Sequence, residues 1–416
     1  MIWSIRAACQ KVAQWLFGYL PVMPINLLSK DLKTLIQKQK NSRNRQLLLD
    51  MAFLLHIFSL RTFHRVSVGG RTMAKAVLPT ISRFLLANMM DENPCGIEDD
   101  TPILEKQMKI TGTFLDEISH DIPHQNWGPA EWDKDFASMA AIGIDTVILI
   151  RCGHKRWMTY PSAVLEKEMG CYRPPLDLVA LFLEKAEKYG MKFYFGTYDS
   201  GRFWGNGEFQ KEADINRAVA EEAWNRYGHC KAFGGWYLCQ EVSRKIAGII
   251  DIYAGVGKTC KELSGNLPVM ISPYIDGVKQ VSSASASLVQ ENGINIGEHE
   301  RQWNEILDGI HKSVDIVAFQ DGHCEYDELA DFLAVNKSLA KRYGMQSWTN
   351  CESFDRDMPI KFLPIKWEKM LLKLEAAKKA GLDKAITFEF SHFMSPNSVY
   401  LAAANLYNRY REHFGL

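Results

Sequence analysis

From residue 109 to the end, the chain repeats one unit: a short apolar run, a polar loop, an amphipathic stretch of helical period, and often a glycine before the next apolar run. The apolar runs read as strands at 109–117, 145–153, 192–199, 232–241, 267–275, 315–322, 346–354 and 385–394. Between them lie helical patterns such as PAEWDKDFASMAAIG and IKWEKMLLKLEAAKKAG, several opening on Pro and closing on Gly, the expected start and stop signals. Eight strands alternating with helices over about 300 residues fit the order and size of a (β/α)8 TIM barrel. A doubly wound open sheet is the rival arrangement, and neither a GxGxxG nor a phosphate-loop motif supports it.

In this fold the reacting groups sit at the carboxyl ends of the strands. There the sequence gathers Asp116, Glu117, Arg151, His154, Tyr198, Asp199, Gln240, Glu241, Tyr274, Gln320, Asp321, His323, Asn350, Glu352, Glu389 and His392. The opposite strand ends are comparatively plain. Any one of these side chains could be a helix cap or a loop hydrogen bond, so about half are expected to be no more than that. Aromatic residues share the same loops, namely Trp127, Trp157, Tyr160, Phe203, Trp204, Trp348 and Phe354. Each could simply roof the barrel; as a set beside a polar rim, they suit the apolar face of a sugar ring. The long Ser-rich segment 276–299 is expected to act as a lid.

Two carboxylates stand out. Glu241 ends the fourth strand and Glu352 the seventh, so a closed barrel can bring them face to face. Glycoside hydrolysis needs such a pair, one to protonate the leaving oxygen and one to attack or to activate water. The arrangement resembles the large retaining glycosidase clan built on this fold, with acid/base after strand four and nucleophile after strand seven. It departs from that clan in having Gln240, not Asn, before the acid/base. Asn350 lies two residues before Glu352 and hence on the same side of the strand.

The stretches KITGTFLDEISHDIPHQNWG, DTVILIRCG, FQDG and WTNCESF are also similar to the glycosidase-like barrels grouped as domain of unknown function 4434. That resemblance covers about three quarters of the chain and implies the barrel fold; the reaction follows by analogy alone. It also implies that Asp116, Glu117, Gln320, Asp321 and Glu352 are site residues. The expected function is a retaining glycoside hydrolase with catalytic Glu241 and Glu352. Its expected substrate-binding residues are Asp116, Glu117, Trp127, Arg151, Tyr198, Asp199, Gln240, Tyr274, Gln320, Asp321, Asn350 and Glu389. Asp321 or Glu389 could replace either catalytic role. Two alternatives stand beside it: a carbohydrate-binding barrel without catalysis, and a metal-dependent barrel hydrolase using His154, His323 and His392. The expected partner is a carbohydrate.

Charge separates the barrel from what precedes it. Residues 1–90 hold thirteen Lys and Arg against Asp31 and Asp50, a balance of +11, which leaves −11 on the rest of this net-neutral chain. An acidic body would repel a phosphate backbone, which argues against nucleic acid as a partner. The expected organisation is a basic extension over 1–100 and a catalytic barrel over 105–416. Within the extension, SLRTFHR at 59–65 resembles a twin-arginine export motif with Leu60 in place of the first arginine. The chain is therefore expected to be exported if that leader functions, and cytoplasmic otherwise. No run of eighteen apolar residues occurs, so no stable transmembrane anchor is expected. The nine cysteines form no CxxC pair and no zinc-like spacing with His, so neither a disulfide framework, a metal site nor a cofactor is expected.

Overall fold

A computed structural model describes residues 107–120, 122–278, 293–356 and 362–416. The basic extension with its leader-like segment, and most of the Ser-rich loop, lie outside the described residues.

The eight expected strands form one closed, all-parallel barrel. They are β1 (Ile110–Leu115), β2 (Thr146–Leu149), β3 (Lys192–Gly196), β4 (Phe233–Leu238), β5 (Val269–Ile271), β6 (Ile316–Gln320), β7 (Gln346–Asn350) and β8 (Lys384–Thr387). Each pairs with its neighbour in sequence, and β8 closes on β1. The ladders are shorter than the apolar runs. Beyond each ladder the chain turns into rim loops, where polar side chains take over the backbone groups that pairing leaves unsatisfied. Asp116 shows how: its Oδ1 accepts hydrogen bonds from Ile118 N and Ser119 N, both at 2.9 Å.

The helices are α1 (Pro129–Ala141), α2 (Ala163–Met169), α3 (Leu178–Lys188), α4 (Phe209–Tyr227), α5 (Ile249–Ser264), α6 (Ile296–Ile310), α7 (Leu329–Arg342), α8 (Trp367–Lys379), α9 (Phe390–Phe393) and α10 (Leu401–Phe414). Their starts are written locally. Pro129 opens α1, Asp177 caps α3 by accepting from Ala180 N, and Asn295 caps α6 by accepting from Glu298 N. Gly143, Gly190, Gly344 and Gly381 follow four of the helices at positive φ, the left-handed turn that glycine makes without steric cost. Among the described residues no helix is long and apolar enough to cross a membrane.

Two apolar clusters hold the layers together. The larger lies between strands and helices. The smaller fills the barrel with every second residue of the strands: Phe114, Ile148, Tyr194, Tyr237, Met270, Ile316 with Ala318, Trp348 and Ile386. Phe114 meets Tyr237 edge to face, with ring centroids 5.0 Å apart. The interior is thus a packed plug, and the free space for chemistry lies above it.

Candidate active site

Strand alternation decides which rim residues continue the inward face. On β4 the inward set is Tyr237, Cys239 and then Glu241; on β6 it is Ile316, Ala318 and Gln320; on β7 it is Trp348, Asn350 and Glu352. Glu241 and Glu352 therefore share the parity that rises over the plug.

Glu241 sits in the mouth with about a quarter of its side chain exposed. Tyr237, four residues before it, donates its hydroxyl to Glu241 Oε1 at 3.0 Å, and Arg151 Nη2 stands 3.7 Å from the same oxygen. Burial raises the Glu241 carboxyl above its ordinary range, against the pull of Arg151 and of hydrogen bonds from Gln320 and Tyr237.

Glu352 has the opposite surroundings. It is 2% exposed, and Arg356 grips it with two bonds, Nε to Oε2 and Nη2 to Oε1, each 2.7 Å. Burial alone would raise its pKa; Arg356, assisted by Lys373 and His323, outweighs that and holds the carboxylate below its ordinary value. The Arg356 guanidinium also feels the charge of Glu241, so one cation lies within electrostatic range of both acids. Gly322 makes the fit possible, since a Cβ there would come within 1.9 Å of Glu352 Oε2.

A polar floor joins the two strand ends. Ser272 Oγ accepts from Asn350 Nδ2 at 3.2 Å, and Gln320 Nε2 donates to Ser272 O at 2.7 Å. Tyr274 bridges Gln320 along the backbone, and its ring lies 5.2 Å from His323. On the side of Glu241, the segment 153–158 folds as a hairpin that pairs with Tyr198–Asp199. This brings Arg151, His154 and Asp199 together. Burial would push Asp199 up, but His154, Arg151 and the Gly201 amide hold it at about 2. At the outer corner of the hairpin, Trp157 is 62% exposed and its ring packs on that of Tyr172.

Five expected substrate-binding residues are turned to packing instead. Gln240 and Asp321 lie on the outward parity. Gln240 Nε2 bonds Tyr198 O and Glu212 of α4, both at 3.0 Å, while Asp321 Oδ1 accepts from Lys373 Nζ of α8 at 2.8 Å and from Glu352 N at 3.1 Å. Tyr198 is fully buried with its hydroxyl on Lys155 O. Trp127 folds down edge-on against Trp132 of α1. Glu389 is fully buried: it caps α9 by accepting from Ser391 N and His392 N, and it pairs with His392 Nδ1 at 2.5 Å. Burial opposes protonation of that histidine, yet Glu389 raises its pKa to about 9. Close by, burial pushes Glu117 up to about 7 against the pull of His392. The two oxygens of the buried Asp116 are used unequally, Oδ2 having no hydrogen-bond partner among the described residues.

Arg356, Tyr237, Ser272, Lys373 and Gly322 were not singled out from the sequence. Tyr237 carried a usable signal, being four residues before Glu241 on the same face. Arg356 and Lys373 carried none, because each reaches its carboxylate through a loop or from a helix. Among the described residues no three His, Cys, Asp or Glu side chains converge as a metal-holding group.

The fold and site define a (β/α)8 barrel whose mouth bears two carboxylates with pKa values pushed in opposite directions. The chain belongs to the family described as Domain of unknown function (DUF4434), whose model matches residues 110–400. It is 60% identical to a Bacteroides thetaiotaomicron protein of known structure described as a proposed alpha-L-fucosidase, over 74% of this chain and 96% of that one, with a TM-score of 0.71. Weaker likenesses include the endo-1,4-beta-mannanase of Rhizomucor miehei, at 10% identity over 68% of this chain and 87% of that one, with a TM-score of 0.45. The intracellular xylanase of Thermoanaerobacterium saccharolyticum is similar at 14% identity over 68% of this chain and 85% of that one, with a TM-score of 0.40. No curated protein is significantly similar to this chain.

Proposed function

We propose that this chain is a retaining glycoside hydrolase in which Glu241 is the acid/base and Glu352 the nucleophile. One observation carries the reading. Two inward-facing carboxylates at the ends of β4 and β7 have environments that push their protonation in opposite directions, the signature of an acid and its partner anion. The similarity to a proposed alpha-L-fucosidase supports a glycosidic substrate.

In the first half-reaction, protonated Glu241 gives its proton to the glycosidic oxygen while a Glu352 oxygen bonds the anomeric carbon and the C–O bond to the leaving group breaks. In the second, Glu241, now ionised, takes a proton from water as that water displaces Glu352. Arg356 suits this chemistry because its two bonds occupy one lone pair on each Glu352 oxygen and leave the other for attack.

The test is hydrolysis of aryl glycosides, beginning with an aryl alpha-L-fucoside, followed by NMR of the first-formed anomer. Retention is expected, and Glu241→Gln and Glu352→Gln should each lower kcat by about 10²–10⁴-fold. Inversion, or either variant retaining full activity, sinks the assignment. The tight burial and bidentate grip of Glu352 favour one rival, a carbohydrate-binding barrel without turnover. That reading predicts glycan binding with no hydrolysis in the unmutated protein.

A further inference from the structure

Beside Glu241 three side chains meet without satisfying one another. Asp199 Oδ1 is saturated by Gly201 N at 2.8 Å and Trp204 Nε1 at 3.1 Å. Its Oδ2 faces Arg151 Nε and His154 Nδ1, each at 3.6 Å. That spacing is just too long for a hydrogen bond. Arg151 is braced elsewhere, through Nη1 on Ser119 Oγ and Nη2 near Glu241, so it does not close the gap. Arg151 Nε and both ring nitrogens of His154 are buried with no hydrogen-bond partner among the described residues. The side chains are only 10–15% exposed, where an unmet donor or acceptor is destabilising.

Resting on the hydrolase reading, we infer that Arg151, His154 and Asp199 form a clamp for two adjacent hydroxyls of a neutral sugar ring bound next to Glu241. One hydroxyl can donate to Asp199 Oδ2 while accepting from Arg151 Nε. Its neighbour can bridge the same carboxylate to His154. Each then both gives and receives a hydrogen bond, which a carboxylate substituent cannot do. An acidic sugar would instead set its charge against the Asp199 carboxylate, whose Oδ2 faces the same space. The clamp therefore selects for hydroxyls and against uronates. A pocket built to bond a hydroxyl rejects the analogue lacking it, because the protein groups are left unpaired.

The experiment uses the full chain and free monosaccharides, which cannot be hydrolysed: L-fucose, D-galactose, D-mannose and D-xylose, their monodeoxy forms, and D-glucuronate. Binding is read by titration calorimetry. At least one neutral sugar should bind, and losing either of two adjacent hydroxyls should weaken it at least about tenfold. Asp199→Asn and His154→Ala should impose a similar loss that does not add to that of the deoxy sugar. Thermal melting checks that both variants fold, and the deoxy series with unmutated protein decides the matter if they do not. Absence of binding by every neutral sugar, deoxy forms binding equally well, folded variants with unchanged Kd, or tighter binding of glucuronate would each overturn the clamp. Binding with the expected pattern but without glycoside turnover keeps the clamp and removes the hydrolase. Turnover whose KM is unchanged in Asp199→Asn does the reverse.

Discussion

The ends of β4 and β7 present the same residue type on the same inward parity, yet they differ in nearly everything that governs a proton. Glu241 is partly open, touched by a neutral phenol and a cation beyond hydrogen-bond reach, and burial keeps its carboxyl raised. Glu352 is closed off and held by a guanidinium on both oxygens, which keeps it lowered. A carboxylate's chemistry is thus set by the partners its neighbouring elements deliver, and much less by its own position on a strand. Glu389, at the end of β8, makes the same point from the other side. With both oxygens spent on a helix start and a histidine, it has become part of the scaffold.

The end of β7 depends on the buried ion pair beneath Glu352. Lys373→Met would strip Asp321 of its buried partner, and removing one member of a buried pair costs about 3–5 kcal/mol. Urea unfolding should register that loss. A loss under about 1 kcal/mol would mean that Lys373 does not anchor the β7 end. At the carboxylate itself, Arg356→Met should let the Glu352 pKa rise, because the nearest opposing charge is gone. In the proposed mechanism Glu352 acts ionised, so the acid limb of the kcat/KM profile should then move to higher pH, by about 1–3 units. An unmoved acid limb would detach that limb from Glu352. The mildest test is Tyr237→Phe. The phenol stabilises ionised Glu241, so its loss should raise that pKa and carry the alkaline limb upward by less than about one unit. A downward shift would contradict the acid role.

Much of this was written along the chain. Apolar runs alternating with capped amphipathic stretches closed into the expected barrel, and both glutamates stood at strand ends. Two of the packing residues were legible too. Gln240 is one residue from Glu241, and Asp321 one from Gln320, so each had to point toward the helices if its neighbour pointed inward. Tyr198 and Trp127 were not legible in that way, because their burial depends on a hairpin and a helix packing over them.

Element order, helix ends and the face each strand residue takes can be read along the chain, because they follow from interactions within a few residues. The opposite shifts of the two acids, Glu241 upward and Glu352 downward, arise only once the chain has folded. Arg151 reaches Glu241 from another strand and Lys373 reaches Asp321 from a helix 52 residues on. Electrostatic energy depends on separation in space and on how much water burial removes, and neither is recorded in the order of residues.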